Sequence, residues 1–83
     1  MRLDKYLKLS RLIKRRTVAK EACVRGCVLV NGKTAKAGTE VKPGDRLTIL
    51  FGNRTVNAEI LKIYEPVPAK LAGELYEIIE HPE

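Results

Sequence analysis

Little in these 83 residues can do covalent chemistry: there is one histidine, His81, and one serine, Ser10, and there is no tryptophan. With no nucleophile–base pairing to assemble and no glycine-rich phosphate loop of the Walker or Rossmann kind, an enzyme is not expected. The two cysteines, Cys23 and Cys27, stand four apart without a second pair or a neighbouring histidine, so the zinc spacings fail and no metal or cofactor is expected. They read as small apolar fillers in a reducing compartment. No apolar run approaches membrane-spanning length, and the first residues alternate charged and apolar groups, so neither a transmembrane segment nor a signal peptide is expected and the cytoplasm is the expected location. Aromatics are few: Tyr6, Phe51, Tyr64 and Tyr76 are scattered, and Tyr6 and Phe51 fall where core residues belong. That argues against base-by-base reading of single strands and toward structured RNA recognised by shape and backbone. His81, near the C-terminus, fits a solvated tail.

Acid is scarce in one half of the chain. Residues 1 to 46 hold 13 basic and 4 acidic side chains, a net +9, whereas residues 47 to 83 hold 3 and 6, a net −3. Such polarity predicts a polyanion met by one face, nucleic acid before membrane, because no amphipathic helix carries large apolar anchors. A charge kept only for solubility is the competing reading, and the clustering argues against it. With 45% apolar and 31% charged residues the chain is expected to fold, as one domain over residues 1–83 with a thin core.

The most concentrated charge lies in Leu9 to Glu21, where Lys14, Arg15 and Arg16 lead into Thr17, whose hydroxyl is expected to cap a new helix. A cationic loop at a helix entry suits phosphate. Before it, Asp4 marks a helix start, and Leu3, Tyr6, Leu7, Ser10 and Ile13 form an inward stripe at spacings of three and four. At about 100° per residue, Lys5, Lys8, Arg11 and Arg15 fall on the opposite side, which predicts three helical turns bearing a basic ridge. A second helix is expected from Thr17 to about Arg25, burying Val18, Ala19, Ala22 and Cys23 and ending at Gly26; Lys20 and Arg25 continue the charge.

The rhythm then becomes β. A short run, Cys27 to Val30, meets Asn31-Gly32, a two-residue hairpin signal that would set Lys33 beside the helices. Lys36 to Glu40 reads as a looser stretch, Val41 to Asp45 as a tight turn around Pro43-Gly44, and Arg46 to Phe51 as a strand. Gly52 to Arg54 makes another turn, followed by a strand through Val56, Ala58 and Ile60 toward Tyr64. Pro66 and Pro68 break it; in the less regular segment 65–83, Ala69 to Glu74 could form a helical turn and Leu75 to Ile79 a closing strand. The fold class is therefore α+β: two short N-terminal helices followed by a small, mainly antiparallel β-sheet.

Arg2-Leu3-Asp4-Lys5-Tyr6-Leu7, then Lys14-Arg15-Arg16-Thr17-Val18-Ala19, Gly26 to Val28, Val30-Asn31-Gly32-Lys33 and Val41-Lys42-Pro43-Gly44-Asp45 occur in an order and spacing that resemble the small RNA-binding domain named after ribosomal small-subunit protein S-four. The likeness spans roughly residues 2–51. It implies that the helix pair and the following hairpin form the RNA-contacting surface, with Arg2 and Arg16 the first candidates, Lys5, Arg11, Arg15, Thr17 and Lys20 around them, and Lys8, Lys14, Arg25 and Lys33 on the same face. Where many members of the wider family carry Ser, this chain has Arg15, a longer cation in place of a hydroxyl.

Of the stand-alone branches, the chain is closer to the RqcP-like branch of bacterial ribosome-associated quality control than to the heat-shock branch that recycles blocked large subunits, whose long basic C-terminal extension is not seen here. The resemblance implies a monomer that binds large-subunit ribosomal RNA and the P-site tRNA of obstructed subunits and supports C-terminal alanine tailing by an RqcH-type factor. Two readings from other classes compete: a protein-interaction adaptor using the acidic C-terminal segment, and a duplex-DNA binder of helix-turn-helix type, which a short second helix rich in small buried residues disfavours.

Overall fold

The structure is a computed structural model that describes residues 1–79; the expectations for His81 and the end of the acidic tail lie outside the described residues. Helix α1 spans Leu3–Leu9 and α2 Arg16–Val24. They are followed by strands β1 (Val28–Val30), β2 (Lys33–Thr34), β3 (Arg46–Phe51) and β4 (Arg54–Ile60), a 3₁₀ segment (Ala69–Leu75) and strand β5 (Tyr76–Ile78). The strands form one sheet in the order β2-β1-β3-β4-β5, with every pair antiparallel.

The α+β expectation holds, and its turns form for the reasons their residues suggest. Asn31 and Gly32 both take positive φ (53° and 83°), as a tight two-residue hairpin demands, and join β1 to β2 with Val30 opposite Lys33. Gly44, at φ 96°, follows Pro43 in a turn closed by the Asp45 amide on the Lys42 carbonyl at 3.1 Å. Buried Asp45 joins these two turns. It accepts from Asn31 Nδ2 (3.1 Å), the Lys42 amide (3.0 Å) and Lys42 Nζ (3.2 Å), while Asn31 Oδ1 takes the Arg46 amide at 3.0 Å. Burial pushes its carboxyl up, but the Asn31 and Lys42 hydrogen bonds and the Lys42 charge outweigh this and hold it below the usual aspartate range.

The predicted stripe of α1 is the heart of the core: Leu3, Tyr6, Leu7, Ser10 and Ile13 are all buried, and the apolar members pack with Ala19, Cys23, Val28, Leu47, Ile49, Ile60 and Leu75. The Tyr6 hydroxyl donates to the Leu75 carbonyl at 2.8 Å, tying α1 to the C-terminal segment, and burial raises its pKa far above the ordinary tyrosine value.

Several expectations are corrected. Helix α1 has two turns, not three: Ser10 is its C-cap, Arg11 adopts φ 63°, the Arg11 amide returns to the Lys8 carbonyl (3.1 Å) and the Ile13 amide to the Leu7 carbonyl (3.1 Å). This fold-back ends the helix in the manner of a left-handed cap and drops Ile13 into the core. Helix α2 begins at Arg16 rather than Thr17, and its N-cap position is Arg15 with no side-chain cap; Thr17 is an exposed residue of the first turn. Its buried stripe is Ala19 and Cys23 with Ala22 half-buried, so Val18, off that line, is 49% exposed. The end of α2 is as expected: Gly26 at φ 76° sends its amide to the Cys23 carbonyl and the Cys27 amide bonds the Ala22 carbonyl.

Strand β4 stops at Ile60 because the Leu61 and Lys62 amides turn to the Leu75 carbonyl, at 2.8 and 3.3 Å. Phe51, expected in the core, lies one step beyond buried Ile49 at the hairpin end of β3 and is 36% exposed.

Candidate RNA-binding face

The site is organised by Asp4, a carboxylate only 2% exposed in the first turn of α1. Arg2 Nε lies 3.2 Å from Oδ1 and its Nη2 3.4 Å from Oδ2, while Arg16 Nε, from the first residue of α2, lies 3.5 Å from Oδ2. One buried anion thus gathers a guanidinium from each side of the α1–α2 junction. Both arginine side chains remain half exposed, so each has donors left to offer outward. Burial pushes the Asp4 carboxyl up; the Arg2 hydrogen bond, the Arg16 and Arg2 charges and the Lys5 amide (2.8 Å) outweigh it and keep the group below the ordinary aspartate value.

The start of α1 is sealed by protein. The Leu3 and Asp4 amides donate to the carbonyls of Thr39 (2.8 Å) and Ala37 (3.1 Å), the Lys5 amide to Asp4 and the Tyr6 amide to the Arg2 carbonyl. The loose stretch 36–40 is therefore a brace. It closes over α1, pairs Glu40 with Arg2 in an antiparallel bridge and with the N-terminal ammonium at 2.8 Å, and runs Gly38 beside the Arg2 guanidinium. A Cβ built on Gly38 would stand 3.8 Å from Arg2 Cζ, in ordinary contact.

Not every cation read from the sequence is available. Lys5 Nζ is held by Glu65 at 2.9 Å and Arg25 Nη2 by Glu21 at 2.8 Å, one turn earlier on α2. Lys8, Arg11, Lys14, Arg15, Lys20 and Lys33 are exposed and have no ion-pair partner among the described residues. Five of these six lie between residues 8 and 20, in and around the α1–α2 loop. The expected ridge is thus replaced by a loop: Arg11 sits at its left-handed bend, and Lys14 and Arg15 lead into the uncapped first turn of α2. Lys33 stands apart, on the first residue of β2.

The role of Asp4 is not evident from the residue pattern alone. Its position marks a helix start, yet it also lies three residues before Leu7 on the edge of the inward stripe. A buried acid at such a position needs partners. Arg2 and Arg16 are the residues that supply them. Among the described residues no group of three or more His, Cys, Asp or Glu could hold a metal ion, and no helix is long and apolar enough to cross a membrane.

What this arrangement can do chemically is attract and orient phosphate. Two oriented guanidinium groups suit bidentate contact, and the flexible lysines around them add longer-range attraction. Residues 1–47 match the S4 domain. The RQC P-site tRNA stabilizing factor of Halalkalibacterium halodurans is 58% identical over 78 residues, covering 94% of this chain and 89% of that protein. The protein of the same name from Listeria monocytogenes is 58% identical over 80 residues, 96% of this chain and 87% of that protein. Among solved structures, a trimeric heat shock protein 15 from Vibrio cholerae is similar with a TM-score of 0.86 at 32% identity, covering 95% of this chain and 81% of that one.

Proposed function

Since the chain belongs to the S4 domain family and, within it, to the RQC P-site tRNA stabilizing factors, we propose that it is an RNA-binding factor of ribosome-associated quality control that steadies P-site tRNA on obstructed large subunits. It meets large-subunit ribosomal RNA and the tRNA with the basic α1–α2 face and in doing so supports alanine tailing by an RqcH-type factor, in the cytoplasm and without catalysis of its own. The observation that carries the reading is the pair Arg2 and Arg16 held on buried Asp4 at the foot of a loop whose cations lack ion-pair partners among the described residues. Arg2 and Arg16 make the principal phosphate contacts; Arg11, Lys14, Arg15, Thr17 and Lys20 surround them.

Sedimentation tests this. The protein is expected to travel with large subunits that carry stalled peptidyl-tRNA at moderate salt. Arg16→Ala is expected to weaken that association by about 1–3 kcal/mol, the range of a charge-assisted contact, without unfolding the domain. Absence of the wild-type protein from those subunits sinks the reading. Association that survives nuclease treatment and charge reversal of the α1–α2 loop would favour the protein adaptor instead.

A further inference from the structure

The exposed end of the β3–β4 hairpin is not accounted for by the α1–α2 face, and it lies outside the residues 1–47 that match the S4 domain. Phe51 is 36% exposed there although it continues the face of Leu47 and Ile49, which are buried, and Leu50, on the opposite face, is 41% exposed. Arg54 pairs directly across from Phe51 and carries its guanidinium 5.7 Å from the centre of the ring. Arg54 is the one charged residue between Leu47 and Ala58, and it has no acidic partner among the described residues. Glu59, further along β4, faces Arg46 instead, at 3.9 Å.

An arginine laid over an exposed aromatic holds both groups in one place while leaving them open to solvent and to a ligand. The cation–π pair fixes the guanidinium plane and the ring together, and the two-residue turn through Gly52 (φ 55°) holds them at a strand end rather than on a mobile tail. Every nucleobase has a π-face that stacks on such a platform, and the phosphate attached to it is the anion that Arg54 lacks. An apolar protein segment could use Leu50 and Phe51 but would leave Arg54 unmatched unless it were acidic. Charge complementarity in a chain that meets RNA favours the nucleotide.

We propose that the tip of the β3–β4 hairpin is a second RNA contact, in which an unpaired base stacks on Phe51 and its phosphate meets Arg54. This rests on the reading of the chain as an RNA-binding factor and adds to it a site for single-stranded RNA, remote in sequence from Arg2 and Arg16. The structured element and the flexible one are then held by different parts of the fold.

The test compares two probes by fluorescence anisotropy at fixed salt: a blunt RNA duplex and the same duplex with a short single-stranded adenosine tail. The wild-type protein is expected to bind the tailed probe about five- to tenfold more tightly, the low end of what one stacked base contributes. Phe51→Ala and Arg54→Gln are expected to abolish most of that gain and leave duplex affinity unchanged, and Phe51→Tyr to keep it; thermal melts confirm that the exposed substitutions fold. A tail that adds nothing, or variants that retain the gain, overturns the proposal while duplex binding leaves the broader reading intact. Wild-type protein that binds neither probe overturns it as well, and the ribosome sedimentation then judges the function separately. Should the variants keep the gain yet lose large-subunit association, the hairpin contacts protein and the RNA proposal is wrong.

Discussion

Replacing Asp4 with Asn sets charge counting and preorganisation against each other. The substitution raises the net charge from +6 to +7. If the protein simply collected phosphates with positive charge, affinity for RNA would rise. The structure argues the reverse, because Asp4 is what orients Arg2 and Arg16. An asparagine can still accept the Lys5 amide through one oxygen, but its other terminal atom becomes a donor facing donors. The Arg2 and Arg16 approaches to the carboxylate, at 3.2 to 3.5 Å, are long for charge-assisted bonds, and both guanidinium groups are half exposed. Each therefore contributes at the lower end, about 1 kcal/mol, and the pair about 2 kcal/mol. In a domain of this size that is a fall in melting temperature of about 8–16 °C.

Two freed arginines must also be re-ordered when RNA binds, at about 0.5–1.5 kcal/mol each. Affinity should drop about fivefold or more despite the added charge. Acid titration gives an independent readout. The Asp4 carboxyl is held below its unfolded value, so its contribution to stability is present above about pH 4 and is lost as pH falls through the lower, folded value. Asp45 carries a shift of the same sign, so the wild-type curve should fall steeply below about pH 4, and Asp4→Asn should flatten part of that slope while Asp45 keeps the remainder. Chemical denaturation from pH 2 to 7 and binding at constant ionic strength decide the matter. Tighter RNA binding by Asp4→Asn, with an unchanged acid limb, would mean that Asp4 competes for the arginines rather than positioning them.

Other substitutions probe the remaining elements. Arg11→Gly should relieve a left-handed arginine worth about 1–2 kcal/mol, offset by about 0.4–1 kcal/mol of added unfolded-state entropy, so denaturation should show a gain of about 0.5–1 kcal/mol while RNA affinity falls. Tyr6→Phe should cost only about 1 kcal/mol by denaturation, because the Leu75 carbonyl that loses the hydroxyl keeps the Leu61 amide. Gly44→Ala meets no atom within 4 Å, so its cost, about 1 kcal/mol in a melt, should be purely that of holding φ 96°.

The parts of the fold readable from sequence are those decided by one or two adjacent residues. Asn31, Gly32, Gly44 and Gly26 each take a positive φ that asparagine tolerates and glycine adopts freely, and β3 is bounded at Arg46 and Phe51 by flanking turns, where the sequence puts it. The α1 stripe is readable too, because its period is local. The C-terminal 3₁₀ segment and β5 are visible only loosely: their anchor is the Leu75 carbonyl, which collects the Tyr6 hydroxyl and the Leu61 and Lys62 amides from distant parts of the chain. No periodicity in Ala69–Leu75 announces such a node.

The candidate site is legible as composition and illegible as geometry, for a reason carried by Arg11. An arginine continues a helix well, so the helical wheel runs on through it and sets Arg11 and Arg15 one turn apart. Tertiary burial overrides that local preference: placing Ile13 in the core, with its amide on the Leu7 carbonyl, requires the chain to double back, and Arg11 takes the left-handed bend that Gly would take with less strain. An exposed arginine held at such a bend at a conformational cost is better explained by what its side chain offers outward than by the turn itself. The same reasoning links Asp4 to the loop, since a buried acid is tolerable only with the two arginines it gathers. The left-handed Arg11 places stability second to the presentation of a cation, so relieving that bend should stabilise the fold and weaken its hold on RNA together, whereas loss of the Asp4 carboxylate should cost both.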